Sequence, residues 1–100
     1  MAPSCTLDAD GLRAQLGRYR TVGRGAVLVE QTPRRLVVEV GRTVDAHLIE
    51  ELLAVERECC PFFSLDWCPE QRRLAVSVSA AEQEPALDAV ASALDVQASA

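Results

Sequence analysis

The stretch Val44–Pro61, VDAHLIEELLAVERECCP, decides how this chain is read. Val44, Leu48, Leu52 and Val55 recur at helical spacing, and Ile49 and Leu53 widen the apolar stripe. His47, Glu50, Glu51, Arg57 and Glu58 fall on the opposite face. The pattern predicts a helix from Val44, capped by Thr43, to about Cys59. Pro61 stops it, because proline has no amide hydrogen and pushes the residue before it toward an extended conformation. Two neighbouring thiols are thereby held where a helix gives way to a strand. Cys59 continues the apolar row and is expected to face the core, while Cys60 projects from the flank. Glu56 stands one turn earlier, at the edge of the same stripe.

Outward from this helix the periodicities alternate. A first helix is expected from a cap at Asp8 or Thr6 to about Arg20, with Leu12, Leu16 and Tyr19 on its inner face, ended by Gly23 and Gly25. Ala26–Gln31 and Leu36–Val40 read as strands joined by the turn Thr32-Pro33-Arg34-Arg35. Beyond Pro61, the residues Phe63, Leu65 and Trp67 alternate with polar ones. Pro69-Glu70-Gln71-Arg72 is a turn, and Leu74, Val76 and Val78 mark a fourth strand. Pro85 suits the first turn of a last helix, with Leu87, Val90, Ala91 and Leu94 inward. The order α-ββ-α-ββ-α predicts an α+β fold, a four-stranded antiparallel sheet with the helices packed on one face. Residues 1–100 make one domain, with 1–6 a short arm and 95–100 a frayed tail. The other face of the sheet is open, the kind of surface through which a homodimer forms.

Composition removes several function classes. The net charge is −5 and no basic patch stands out, which argues against nucleic acid as a partner. No apolar run reaches the roughly 20 residues of a membrane span. Met1 to Asp10 shows neither a basic start nor an apolar stretch, so the expected location is the cytoplasm, of bacterial type, where thiols stay reduced. No nucleotide cofactor is expected. The four cysteines, Cys5, Cys59, Cys60 and Cys68, then read as ligands, redox groups or buried small side chains before they read as a disulfide frame.

The field at the cysteine pair favours a cation. A catalytic thiolate is usually found at a helix N-terminus or beside basic groups. Here the pair sits at the negative end of a helix dipole, next to Glu56 and Glu58. That field disfavours a bare thiolate and welcomes a soft cation. Copper(I), mercury(II), arsenic(III) or zinc are the candidate ions, although the paired ligand spacing of a structural zinc site is absent. Cys5, on the N-terminal arm, is the expected third ligand. Extended chain at about 3.3 Å per residue puts Cys68 about 26 Å from Cys60, so it is expected to be a packed side chain. Read as core, Cys59 is a small apolar filler, Glu56 a partly exposed acid paired with an arginine, and the aromatic group a packing cluster. Read as function, Glu56 is a candidate general acid or base, and Phe62, Phe63 and Trp67, three of the four aromatic residues, line a candidate pocket for a small molecule.

Cys5-Thr6-Leu7 followed by Glu56-Arg57-Glu58-Cys59-Cys60-Pro61-Phe62-Phe63 resembles the pattern of a set of small bacterial cysteine-pair proteins. The resemblance spans most of the chain and strengthens Cys5 as a companion of Cys59 and Cys60. It implies a role beside metal resistance or thiol stress. The element order also resembles pterin carbinolamine dehydratase, in which a His-His-Pro sequence follows the central helix and lines the active site. Here Cys59-Cys60-Pro61 takes that place, and thiols do not supply the acid–base groups that dehydration needs. The topological resemblance implies a pocket between the helix end and the sheet. Together these readings give a cytosolic protein binding a soft metal or metalloid ion through Cys59 and Cys60. A small enzyme or ligand-binding domain at the same motif, or a thiol-redox protein in which Cys5 resolves an oxidised neighbour, are the alternatives.

Overall fold

Asp45, rather than Thr43, starts the central helix. Its carboxylate accepts a hydrogen bond from the His47 amide at 3.0 Å, and Thr43 is taken up in a turn closed by Val44 N–H to the Gly41 carbonyl at 3.2 Å. Aspartate is the stronger cap of the two residue types. The computed structural model describes residues 8–96. Its elements are α1 (Ala9–Gly23), β1 (Val27–Thr32), β2 (Arg35–Glu39), α2 (Ala46–Cys59), β3 (Ser64–Cys68), β4 (Arg73–Ser77), a short 3-10 turn (Ala81–Gln83) and α3 (Glu84–Leu94). This is the expected α+β order with a four-stranded antiparallel sheet, and the strands lie as β1-β2-β4-β3.

The two hairpins meet through β2 and β4. In register, Leu65, Val76 and Leu36 form one cross-strand row, and Trp67, Leu74 and Val38 the next. Side chains alternate across a sheet, so these rows share a face. Leu36, Val38, Val40, Leu74, Val76 and Val78 are all buried there, in one cluster with Ile49, Leu52 and Leu53 of α2 and Leu87, Val90 and Leu94 of α3. The helices therefore cover that face. Exposed charges line the other, where Arg73 lies 3.9 Å from Glu39.

Arg72 ties the start of α2 to the second hairpin. Its backbone is left-handed, at φ 53°, a conformation that closes the β3–β4 turn at some cost for a residue with a Cβ. Its guanidinium donates to the carbonyls of Gly41 (2.9 Å) and Val44 (2.6 Å) and reaches Val40 at 3.4 Å. It also lies 5.7 Å from the centre of the Trp67 ring, within cation–π range.

The first helix departs from expectation. Asp8 caps it, accepting from Gly11 N–H at 2.7 Å, but Leu12 and Leu16 are nearly half exposed. The buried face is Gln15, Tyr19, Val22 and Gly23. Gly23 permits the rotation. A Cβ there would stand 1.7 Å from the Leu94 carbonyl oxygen, so only glycine lets the end of α3 come this close. With Gly23 docked there, Gln15 and Tyr19 lie on the inward face. At the far end, Asp95 is not frayed: it closes α3 in a left-handed conformation, with its N–H on the carbonyls of Ala91 and Ser92. The rest of the expected tail beyond Val96 and the expected arm lie outside the described residues. No described helix is long and apolar enough to cross a membrane.

Two glycines of α1 should respond oppositely to alanine. Gly23→Ala should cost ~1–3 kcal/mol or more, the usual range for an overpacked site. Gly17 has open space around it. Gly17→Ala should therefore stabilise by about 0.5–1 kcal/mol through helix propensity. Urea midpoints of the two variants check the pair.

Candidate functional site

The Cys-Cys-Pro turn is built by the end of α2. Cys59 is its last residue and is 5% exposed. Cys60 is the C-cap, at φ −133° and ψ 74°, outside the helical region as Pro61 requires. The Cys60 amide donates to the Glu56 carbonyl at 2.7 Å, and Phe63 N–H donates to the Cys60 carbonyl at 3.1 Å. The second bond closes a four-residue turn with Pro61 in its favoured second position. The chain reverses there and enters β3. As expected, Cys59 faces the core and Cys60 stays on the flank, half-buried.

The thiols are not equivalent. Cys59 is disulfide-bonded, whereas Cys60 and Cys68 are free. The expectation of reduced thiols therefore fails at Cys59 and holds at Cys60 and Cys68. Cys5, the expected third ligand, lies outside the described residues. Cys68 ends the edge strand β3, opposite Arg73.

Glu56 is the residue whose setting differs most from expectation. It is not a partly exposed acid beside an arginine; it is buried in the middle of the α2 stripe, among Ile49, Leu52, Leu53 and Cys59. Its answer comes from α1. The Gln15 side-chain amide donates to the Glu56 carboxylate at 3.3 Å and to the Leu52 carbonyl at 3.0 Å. The Gln15 carbonyl oxygen in turn accepts from Arg18 at 2.9 Å, and Arg18 reaches the Glu51 carboxylate at 3.8 Å. Positive charge thus reaches the buried acid through an amide rather than by direct contact. Gln15 and Tyr19 were missed as site residues. A glutamine four residues before a tyrosine, on the face that ends at Gly23, was the available signal.

Two ionisable groups feel this carboxylate. The Tyr19 hydroxyl is buried and closes no well-formed hydrogen bond. Burial first, and then the Glu56 charge nearby, hold its proton well above the usual tyrosine range. Since the geometric bond is absent, the coupling is best described as one of charge. The Cys60 thiol is pushed up to about 11, again first by burial and then by Glu56. A protonated thiol is a poor nucleophile, so Cys60 can sit beside a disulfide without exchanging into it.

The aromatic candidates are placed as follows. Phe63 is core; Phe62 packs beside it, ring centres 4.8 Å apart and tilted by 50°. Trp67 is half-buried beneath Arg72. Two surface hollows lie elsewhere: about 420 Å³ beside Glu39, Arg42 and Arg72, and about 450 Å³ beside Thr32, Pro33 and Glu84. His47 is exposed on the outer face, as expected. Among the described residues, no group of three or more His, Cys, Asp or Glu side chains is arranged to hold a metal ion. Comparison of the chain with protein-family models, curated proteins and solved structures found no match.

The shared sign of the two shifts fixes a pH dependence. Folded Cys60 and Tyr19 keep protons that the unfolded chain releases, so their contribution is complete below pH 9 and is lost as pH rises through about 11. The chain contains no lysine, so no side-chain ammonium group titrates in this window. Urea midpoints should fall between pH 9 and 11, and the single tyrosine should show no tyrosinate absorbance while the chain stays folded. Gln15→Ala should cost ~1–3 kcal/mol by stranding a buried carboxylate. Gln15→Leu combined with Glu56→Leu should recover part of that loss, because an apolar pair strands nothing. A double-mutant cycle measures both.

Proposed function

We propose that the Cys59-Cys60-Pro61 turn is a soft-cation site, in which Cys59 and Cys60 hold a metal or metalloid ion with Cys5 as third sulfur. The observation that carries this reading is the placement of Cys59 and Cys60 on adjacent residues where α2 ends, one turn beyond the buried Glu56. Cys60 supplies a further sulfur on the adjacent residue. Two adjacent sulfurs, joined in this reading by that of Cys5, would suit the low coordination numbers of mercury(II), arsenic(III) or copper(I) better than the four ligands of a structural zinc site.

The electrostatic setting agrees. The negative end of α2 and the buried Glu56 carboxylate act against a bare thiolate at Cys60, and a bound cation relieves that repulsion. Each thiol gives up its proton as its sulfur–metal bond forms, so uptake of a divalent ion on two thiols releases two protons to solvent. A reducing compartment such as the cytoplasm would keep the sulfurs available.

The fully reduced chain, freed of reductant under nitrogen, should develop a thiolate-to-metal absorption band saturating at one equivalent of mercury(II). Against a small competing dithiol, Cys60→Ser and Cys5→Ser should each weaken retention by ~10-fold or more, as expected for loss of one chelating arm. Retention by the unaltered chain no better than by the dithiol would rule out a dedicated site.

A further inference from the structure

We propose that the outer ridge of α1 is a self-association surface, on which a second copy of this chain docks antiparallel across a twofold axis. Leu12 and Leu16 are 47% and 46% exposed, whereas every other leucine among the described residues is at least partly buried. Residues four apart on a helix are neighbours, so the two form one apolar patch. The same row continues to Asp8 at one end and Arg20 at the other, both exposed. Along a single ridge, Asp8-Leu12-Leu16-Arg20 thus runs acid, apolar, apolar, base. Arg20 makes no ion pair among the described residues. Asp8 uses one carboxylate oxygen to cap Gly11, and a carboxylate accepts at both. No cysteine belongs to this ridge, so the surface stands or falls apart from the cation site.

The charge order selects both the occupant and its direction. A twofold axis midway between Leu12 and Leu16 sets Leu12 of one copy against Leu16 of the other, and Asp8 against Arg20. Parallel docking would instead oppose Asp8 to Asp8 and Arg20 to Arg20. Ridges of residues four apart interlock when two helices cross at about 50°, which lays the two rows side by side along their length. The other exposed apolar side chains, Val27 and Val29, offer no equivalent surface. They lie on β1, where a bulge between Leu28 and Glu30 breaks the edge against strand addition. The open sheet face has charges already matched within the chain, Arg35 with Glu30 and Arg73 with Glu39. One helix ridge buries less than the ~1,200 Å² of a standard stable interface, so dimer and monomer are expected in exchange.

Sedimentation equilibrium of the full chain tests this. Between ~10 µM and ~1 mM, the range of weak interfaces, the mass should climb from 10.8 kDa toward twice that value. Leu12→Glu and Leu16→Arg spare the core and the Asp8 cap. Each alone should weaken association by ~10-fold or more, because an unpaired charge then faces a leucine. Mixed in equal amounts, the two variants should regain most of what each lost. In the mixed pair the introduced acid meets the introduced base, while the remaining Leu12 and Leu16 still meet. Arg20→Glu, which opposes an acid to Asp8, should weaken association at low salt and less so at about 1 M salt. A monomeric mass throughout overturns the proposal, whatever else covers the ridge. A dimer that both leucine variants leave unchanged overturns it, and so does a mixture no stronger than its parts.

Discussion

A carboxylate in the apolar stripe of a helix has to be answered by another element, and here α1 answers α2. Leaving a buried acid without a donor costs several kcal/mol, more than most single contacts contribute. Gln15 meets that demand while also satisfying the Leu52 carbonyl, so one amide fixes the rotation of α1 against α2. The same rotation carries Gly23 to the end of α3 and leaves Leu12 and Leu16 in solvent. The arrangement of the three helices over the sheet follows from this polar contact as much as from hydrocarbon packing.

The buried acid also sets the chemistry of the turn. Cys60 is capped to Glu56 through the backbone and pushed toward the protonated thiol by its burial and the Glu56 charge. Cys59 faces the other way, into the core, as half of a disulfide. Adjacent cysteines thus occupy different environments because a helix end divides them. One sulfur is packed like a core residue; the other, half-buried on the flank, keeps its proton through burial first and the Glu56 charge second. A pair that is uniform in sequence thus has, in the fold, one buried member and one half-buried member.

Much of the architecture was legible in the sequence. Alternation at Leu36–Val40 and Leu74–Val78 gave the two central strands, and the helical spacing from Leu48 to Cys59 gave α2. These signals are strong because every second or every third to fourth residue must be apolar when one face is buried. What stayed hidden was pairwise. Nothing in the period of α1 separates a face carrying Leu12 and Leu16 from one carrying Gln15 and Tyr19; the choice depends on an acid 41 residues away. The cap at Asp45 escaped because Thr43 is also a good cap, and the turn closed on Gly41 decides between them. Arg72 escaped because no local pattern marks an arginine that will bind carbonyls of a distant loop. The disulfide escaped because four cysteines without paired spacing do not announce a bond.

The tether formed by Arg72 has a mechanical meaning. One planar side chain holds the carbonyls of Gly41 and Val44 just ahead of α2, while backbone bonds and a proline turn hold the opposite end of that helix. The helix is turned sharply at the sulfurs, and its start is held by this fork together with the Val40 N–H to Arg72 carbonyl bond and the Asp45 cap. Loosening the fork would free the loop at the end of α2 opposite the thiols, about 20 Å away along the helix axis, while the core packing of Ile49, Leu52 and Leu53 stays between them.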